Sequence, residues 1–277
     1  MSKTIWGNCI VKNEDRFIWF AVTSVINYLD KLIIWDTGSS DKTVKIIELL
    51  KKKYPKKISF REYGEVDRES FTKAREEMLV QTKSDWVFLL DGDEIWWEKS
   101  IQEVVLNIQQ KGDELDCIVN PTYNPVGDIY HYQESQAGQY KIAGQRGHFN
   151  IRAVNRKIPG LHFALPYGSE GFFDDKNKPI QERNSKKILF LDSAYLHLTH
   201  LRRSSLVEGE NMVMDRIKKR KYEIGTPFPK DFVYPEVLYK EMPSQVLSPW
   251  GKSSNSFKIL ALIQTPFKKI KRRILDK

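Results

Sequence analysis

The sequence predicts an α/β fold with a mostly parallel central sheet and helices on both faces, followed by a C-terminal helical and extended appendage. Two observations carry this prediction. Short apolar runs alternate with segments of helical periodicity four times between residues 5 and 120. From residue 121 to residue 192 the rhythm changes to short, irregular strand-like runs rich in glycine, proline and aromatic residues. Because parallel strands need crossover connections, the alternation implies right-handed β-α-β units.

Five apolar runs of the first half are predicted strands: residues 5–11, 31–36, 57–62, 86–91 and 115–120. Amphipathic helices are predicted between them. Asp41 and Ser70 are suitable N-caps for the second and third helices, and Gly112 ends the fourth.

The C-terminal part is predicted to hold two helices separated by an extended segment. The first covers about residues 204–221, and the extended segment, residues 226–250, contains five prolines. Thr265 as cap and Pro266 at the first helical position predict the start of the second. This last helix would place three apolar residues on one face: Phe267, Ile270 and Ile274.

Composition excludes several classes of protein. Hydrophobic content of 40% and charged content of 29% are typical of a globular chain. No stretch approaches the ~20 apolar residues of a membrane span, and the N-terminal sequence has no secretory leader, so we expect a cytoplasmic protein. The two cysteines, Cys9 and Cys117, lie in apolar runs and are expected to be free thiols.

The positive charge is concentrated at the C-terminus. Residues 252–277 hold eight Lys or Arg against one acid, hence +7 of the net +9. The rest of the chain is therefore near neutral, and we expect no nucleic-acid partner.

Three polar loops follow predicted strands and should converge at one edge of the sheet, where open α/β sheets bind ligands. They are residues 12–15, residues 36–41, and the loop with Asp91, Gly92, Asp93 and Glu94. Crowded carboxylates repel one another unless a cation offsets them, so a hard divalent ion, Mn or Mg, is expected at the third loop.

The segments VKNED, LIIWDTGSSDKT and SFTKAREEMLVQTKSDWVFLLDGDE together resemble the family 2 glycosyltransferases, over roughly the first hundred residues. The resemblance implies a GT-A fold and metal-dependent, inverting transfer from a nucleotide-diphosphate sugar, by default a UDP-sugar. Residues 1–200 would form the catalytic domain, with 1–120 as the nucleotide-sugar-binding half and 121–200 as the acceptor-side half. Residues 201–277 would be a helical extension with a basic amphipathic tail.

By the same resemblance, Asp36 would contact the nucleoside and Arg75 the diphosphate. Asp93 would be the direct metal ligand, and Asp91 would lie nearer the ribose or a metal-bound water. Other expected members of the donor site are Lys12, Glu14 and Gly92. Relatives often carry Ala-Arg-Asn where this chain has Glu76 after Arg75, so the contacts at this point should differ.

The acceptor side is expected to include Arg152 and His162. Phe163 stands where relatives carry a Glu near the acceptor, so another acid is needed as catalytic base. Glu170 is the first candidate, because the glycines on either side of it suit a loop that closes over an acceptor. Asp174 and Asp175 are alternatives. Either His197 or His200, which strand alternation would put on opposite faces, is expected to complete the metal shell.

The basic amphipathic tail, residues 265–277, suits the anionic inner face of the plasma membrane. The acceptor is therefore expected to be a glycan or lipid-linked molecule, as in the assembly of cell-surface polysaccharide, lipopolysaccharide or another glycan. A nucleotidyltransferase or phosphohydrolase, which uses a similar carboxylate and metal site, is the alternative.

Overall fold

The computed structural model describes residues 2–275. A mixed nine-stranded sheet forms its centre. Its first strands and intervening helices are β1 (Ile5–Val11), α1 (Ile18–Val25), β2 (Lys31–Asp36), α2 (Thr43–Lys53), β3 (Ile58–Glu62), α3 (Arg68–Gln81), β4 (Trp86–Leu89), β5 (Glu94–Trp96), α4 (Glu98–Lys111) and β6 (Cys117–Tyr123).

The first four strands of this half, β1 to β4, are parallel, as the alternating pattern predicts. Their side chains are apolar on both faces because helices cover the sheet. Gly7 of β1 leaves room for the side chain of Leu32 on the adjacent strand β2, since a Cβ at Gly7 would lie 2.5 Å from Leu32 Cδ1. The carboxyl ends of β1, β2 and β4 therefore meet at one edge of the sheet.

The remaining elements are β7 (His131–Tyr132), β8 (Tyr140–Ile142), β9 (Gln145–Gly147), β10 (Phe149–Asn155), β11 (His162–Ala164), β12 (Gly171–Phe173), β13 (Ile188–Phe190), β14 (Tyr195–His197), α5 (Val207–Asn211), α6 (Arg216–Lys219), β15 (Thr226–Pro227) and α7 (Asn255–Leu275). The strands of the central sheet lie in the order β3-β2-β1-β4-β10-β6-β14-β5, and β13 also pairs with β6. The second half of the sheet is antiparallel where it joins the first, because β10 runs antiparallel to both β4 and β6, and β14 runs antiparallel to β5.

A buried aromatic layer fixes the short strand β5 against β14. Trp96 stacks on Tyr195 with ring centroids 4.4 Å apart, and Phe88 meets Trp96 edge to face. All three side chains are fully buried. This packing sets the direction in which the turn between β4 and β5 leaves the sheet.

Three predicted helix starts are wrong. Lys42, not Asp41, is the N-cap of α2, although Asp41 Oδ1 accepts the Thr43 N–H at 2.9 Å. Asp67, not Ser70, is the N-cap of α3, and Ser70 completes a capping box by bonding back to the Asp67 backbone N–H. The C-terminal helix begins at Asn255 and contains Pro266 in its interior, because packing of Phe257 and Ala261 on Val126 extends it toward the N-terminus.

The predicted helix at residues 204–221 is also wrong as a continuous element. It divides into α5 and α6, separated by Asp215, which has a positive φ of 54°. The predicted strand 86–91 ends at Leu89, so that Asp91 lies in the turn and not in the strand. Among the described helices, none is both long enough and apolar enough to cross a bilayer.

Candidate active site

A cavity of about 990 Å³ lies at the carboxyl edge of the parallel strands. Its floor is the turn between β4 and β5, with Asp91, Gly92 and Asp93. The end of β14 and the segment around α6 form its walls. A cavity of this volume accommodates a ligand of nucleotide-sugar size.

Asp91 is held between two arginines. Arg75 Nη2 of α3 donates to Oδ1, and Arg152 Nη2 of β10 donates to Oδ2, each at 3.1 Å. Arg152 also forms an ion pair with Glu94. Burial opposes ionisation of Asp91, but the two arginines outweigh it and hold its pKa below the usual range.

Asp93 is fully buried and has one oxygen without a protein partner. Arg203 Nη1 donates to Oδ2 at 2.7 Å and lies 3.2 Å from Glu14 Oε1, while Oδ1 accepts no hydrogen bond from any residue between 2 and 275. Arg216 Nη2 donates to the same Oε1 of Glu14. Burial is opposed chiefly by Arg203, and the pKa of Asp93 is lowered.

Gly92 allows the backbones of two loops to approach. A Cβ at Gly92 would lie 2.8 Å from Glu14 Cγ and 3.1 Å from Val11 Cγ1. Any larger residue would displace Glu14 and, through it, Arg203. The Asp-Gly-Asp spacing is thus required by packing as well as by chemistry.

His197 and His200 both line the cavity, contrary to the alternation expected from the sequence. β14 ends at His197, and the turn that follows, with Leu201 N–H bonded to Leu198 O, brings His200 to the same side. His197 Nε2 lies 3.8 Å from Asp93 Oδ2. Burial lowers the pKa of His197 to about 4, so its ring is neutral and able to bind a metal at neutral pH.

The donor groups at this point suit a hard divalent cation. Among the described residues, Asp91, Glu94 and His197 offer ligand atoms that all lie within 4.8 Å of one another. Asp93 adds a buried oxygen without a partner beside them. Carboxylate oxygens with one neutral imidazole are suitable ligands for Mn²⁺ or Mg²⁺.

Four carboxyl groups at the site are matched by four guanidinium groups. The acids are Asp91, Asp93, Glu94 and Glu14, and the arginines are Arg75, Arg152, Arg203 and Arg216. Burial raises the pKa of Glu14 and of Glu94 to about 8, against the effect of their arginine partners. The cluster therefore does not repel an anion, and a diphosphate can enter beside a cation.

The other residues expected in the donor site differ in position. Lys12 lines the cavity, with Nζ 3.5 Å from Glu65 Oε1. Asp36 is buried beside the cavity and is not part of its lining. The N–H groups of Gly38 and Ser39 bond Asp36 Oδ1 at 3.0 and 2.9 Å, and the Ser39 hydroxyl bonds Oδ2. Asp36 thus shapes the loop after β2.

The three candidate bases are separated by the structure. Glu170 lines the cavity in a loop whose Tyr167 carbonyl oxygen is bound by Arg68 at 2.8 Å. Asp174 is not part of the lining; it accepts the N–H groups of a tight turn and pairs with Arg183. Asp175 is exposed and also outside the lining.

Of the two acceptor-side residues, Arg152 reaches the carboxylates and His162 does not line the cavity. His162 Nδ1 donates to Gly160 O at 2.8 Å at the start of β11. Glu76 fastens the same strand, since its Oε2 accepts the Phe163 N–H at 2.7 Å. The two departures from the family pattern, Glu76 and Phe163, are therefore in direct contact.

Two arginines of the site, Arg203 and Arg216, were missed in the sequence. Arg203 follows the predicted strand that contains His197 by only a few residues, and a basic residue directly after a strand at the binding edge is a usable signal. Arg216 lies in a charged helix, and nothing local distinguishes it from its solvent-exposed neighbours. Glu94, which the sequence placed in the acidic loop without a role of its own, pairs with Arg152.

Comparison with solved structures finds similar folds at low identity. A glucosyl-3-phosphoglycerate synthase from Mycobacterium tuberculosis, in complex with Mn²⁺, UDP and glucosyl-3-phosphoglycerate, is 18% identical with a TM-score of 0.45, covering 70% of this chain and 72% of that one. S. aureus TarS 1-349 is 15% identical with a TM-score of 0.42, covering 71% and 60%.

Curated relatives match parts of the chain. A TPR repeat-containing protein of Synechococcus elongatus is 24% identical over 174 residues, which is 63% of this chain and 36% of that protein. An uncharacterized glycosyltransferase of Rickettsia bellii is 36% identical over 94 residues, 34% and 29% of the two chains. The aligned regions thus span about a third of the length of these relatives.

The sequence profile of Glycosyl transferase family 2 matches residues 9–169, more than half of the chain. The match covers the parallel strands, the Asp91 to Glu94 turn and β10, which together form the floor of the cavity. This chain belongs to glycosyl transferase family 2.

Proposed function

We propose that the protein is a metal-dependent, inverting glycosyltransferase that moves a sugar from a nucleotide-diphosphate donor, by default a UDP-sugar, to a hydroxyl of a glycan or lipid-linked acceptor. The observation that carries this proposal is the group of Asp91, Asp93, Glu94 and His197 on the floor of a cavity that also holds arginines. Carboxylates alone favour a metal, whereas carboxylates with arginines favour a metal and a diphosphate together.

The donor would be held by the floor and the wall of the cavity. Asp93, Asp91 and His197 are the proposed ligands of Mn²⁺ or Mg²⁺, and Glu94 lies beside them. His200, on the same side of the cavity, is the alternative histidine ligand. Such an ion would stabilise the charge on the departing diphosphate. Arg75, Lys12 and the backbone near Gly92 would orient the phosphates, and Asp36 would keep the loop under the nucleoside in shape.

The acceptor hydroxyl would attack from the other part of the cavity. Glu170 is the proposed base because, of the three candidates, it is the one in the lining. Its carboxylate takes the hydroxyl proton as the new C–O bond forms and the bond from the sugar to the diphosphate breaks. A single displacement of this kind inverts the anomeric carbon.

Contact with an anionic membrane surface is the remaining part of the proposal, and α7 supports it. Its inner side packs Phe257, Ala261 and Thr265 on the body. The opposite side exposes 56–71% of each of six apolar side chains: Ile259, Leu262, Ile263, Phe267, Ile270 and Ile274. Residues 255–275 contain six Lys or Arg and no acid. Pathways that build glycans at the inner face of the plasma membrane would suit such an enzyme.

The test of the catalytic proposal is release of nucleoside diphosphate from a panel of sugar nucleotides with Mn²⁺ or Mg²⁺. The Asp93→Asn variant should lose on the order of 100-fold or more in rate, because a buried group that stabilises the transition state is removed. Asp113→Asn, which changes an exposed carboxylate paired with Lys3, is the matched control.

Two results would contradict the proposal. Release of pyrophosphate or nucleoside monophosphate would favour a nucleotidyltransferase or phosphohydrolase. An undiminished rate in Asp93→Asn, with the same unfolding temperature as the control, would remove Asp93 from the chemistry.

A further inference from the structure

We propose that the end of the cavity closed by α7 binds the phosphate or diphosphate group of an anionic acceptor, through Lys221, Lys268 and Lys271. This inference rests on the proposed function, since it concerns the acceptor side of the same cavity. It goes further because it gives the acceptor a chemical class.

Helix α7 forms part of the cavity wall as well as an outward apolar face. Lys268, Lys271 and Arg272 belong to the lining, although α7 lies more than a hundred residues after Asp93 in the chain. Lys221, which follows α6, lines the same region. Four basic side chains from two separate segments thus meet at one end of the cavity.

Arg272 is already committed to holding α7 in place. Its two Nη atoms bond the two carboxylate oxygens of Glu223, and Nη1 also bonds Glu134 Oε1 at 2.8 Å. Glu223 is 2% exposed and is fixed from the other side by Gln133 at 3.0 Å. Lys269 Nζ lies 3.9 Å from Glu134 Oε2, so the two acids face two cations, Arg272 and Lys269, and these four groups form a scaffold whose charges are paired.

The three lysines have no such partner. Within residues 2–275, no carboxylate oxygen lies within 4.0 Å of the Nζ of Lys221, Lys268 or Lys271. Lys268 Nζ makes one hydrogen bond, to Tyr222 O at 2.7 Å, which leaves two of its donors unused. Burial lowers the pKa of Lys268; the charge of Glu223 opposes this effect, and the charges of Lys221 and Arg272 add to it.

Three histidines, His148, His197 and His200, line the cavity between the catalytic floor and the lysines. His200 Nδ1 donates to Lys219 O at 2.7 Å, two residues before Lys221. His148 Nε2 donates to the backbone oxygen of Glu134, whose carboxylate Arg272 binds. An acceptor with its hydroxyl near His197 would thus extend past His200 toward the lysines.

A phosphate group is the anion that fits best. Compact ammonium groups bind phosphate as point charges, and several of them together favour a dianion over a single carboxylate. A lipid attached to that phosphate would leave the cavity beside α7, whose outward face is apolar. The same helix would then contact both the bilayer and the head of a lipid-linked acceptor.

The test is a calorimetric titration of the full chain with geranyl diphosphate, in the presence of saturating UDP and Mn²⁺. The triple variant Lys221→Gln/Lys268→Gln/Lys271→Gln should bind it roughly tenfold or more weakly than wild type, because at least one charge-assisted contact worth about 1.4 kcal/mol is lost. The control triple variant Lys52→Gln/Lys56→Gln/Lys99→Gln removes three exposed charges elsewhere and should bind as wild type does. Lys221→Gln alone, which leaves α7 unchanged, should show part of the effect.

Separate arms distinguish the possible failures. UDP binding with Mn²⁺ should be the same in all variants. If wild type binds no nucleotide, the proposed function fails. Titration with geranyl diphosphate in the absence of UDP then still tests the lysine site. Competition of UDP with geranyl diphosphate would overturn the inference, as would equal binding by wild type and the lysine variant. Lysine-dependent binding to phosphatidylglycerol vesicles without binding to geranyl diphosphate would assign the lysines to lipid headgroups and also overturn it.

Discussion

Single residues at the floor of the cavity act through their partners more than through their own chemistry. Asp91 stays ionised because Arg75 and Arg152 offset its burial. Asp93 keeps one oxygen free because Arg203 takes the other. The sequence pointed to both acids, since an acidic turn after a buried strand is a local pattern. It gave no indication of Arg203, whose partner is 110 residues away in the chain.

His200 provides a test of burial at the residue scale. Its Nδ1–H donates to Lys219 O at 2.7 Å, and burial lowers its pKa to about 3, against about 6.5 in an unfolded chain. Between these pH values the unfolded chain binds a proton here that the folded chain does not. Falling pH therefore reduces stability, with a slope that approaches about 1.4 kcal/mol per pH unit.

We expect the metal-free His200→Asn variant to have a shallower pH dependence by about that slope between pH 6 and pH 4. Urea unfolding of wild type and variant at several pH values measures the difference, in which all other titrating groups cancel. His200→Gln should behave like His200→Asn. Parallel curves of unfolding free energy against pH for wild type and both variants would contradict this prediction, because they would mean that His200 has the same pKa in the folded and unfolded chains.

At the scale of elements, local signals predicted the β-α alternation well and the C-terminal helices poorly. The strands β1, β2 and β3 lie within a residue of their predicted bounds, because runs of buried apolar residues are strong signals. Helix α7 was predicted to start eleven residues too late, since Thr265 and Pro266 resemble a helix start. In the structure Thr265 lies inside the helix, and its hydroxyl donates to Ala261 O one turn earlier. The same hydroxyl accepts the N–H of Ile224, a residue outside the helix.

The outward face of α7 leads to a prediction about membranes. The Ile263→Glu/Phe267→Glu variant should bind phosphatidylglycerol vesicles roughly 100-fold or more weakly, because two side chains lose burial worth about 1.5–3 kcal/mol each. Vesicle co-sedimentation at low salt measures this, and raising the salt should weaken wild-type binding as well.

The matched control places the same charges on other exposed apolar residues. Val80 and Leu106 are 56% and 52% exposed, and Val80→Glu/Leu106→Glu should sediment with vesicles as wild type does. Equal loss in both variants would mean that added negative charge, and not the apolar face of α7, explains the effect. Wild-type protein that ignores anionic vesicles would remove membrane contact from the proposal.

At the scale of the whole molecule, the sheet brings together charges that are distant in sequence. Four carboxyl groups and four arginines come from the loop after β1, α3, the turn after β4, β5, β10, the segment after β14 and α6. The arginines equal or outnumber the ionised carboxylates, because the pKa values of Glu14 and Glu94 are raised to about 8, so a divalent cation alone gains little by entering. A diphosphate alone meets the ionised Asp91 and Asp93. When both enter, each neutralises the charge that the other adds.

We therefore expect Mn²⁺ and UDP to stabilise the protein together much more than either does alone. At a hundredfold excess over the dissociation constant, the combined ligands should add about 2.7 kcal/mol to the free energy of unfolding, a rise of several degrees in Tm. Thermal unfolding with Mn²⁺, UDP, both or neither measures this, and Asp93→Asn should abolish the combined shift. A full shift with Mn²⁺ alone would contradict the charge balance described above.

The sequence by itself determined the α/β class, the parallel half of the sheet, the family and the acidic turn, because each depends on neighbours in the chain or on motifs of fixed spacing. Only the tertiary structure decided which groups meet at the cavity. It brought Arg203 and Arg216 to the acids, turned His200 to the same side as His197, and left Asp174, Asp175 and His162 outside the lining. It also placed α7 with one side on the cavity and an apolar side outward. These outcomes depend on strand order and on packing between distant segments, which no local pattern of residues encodes.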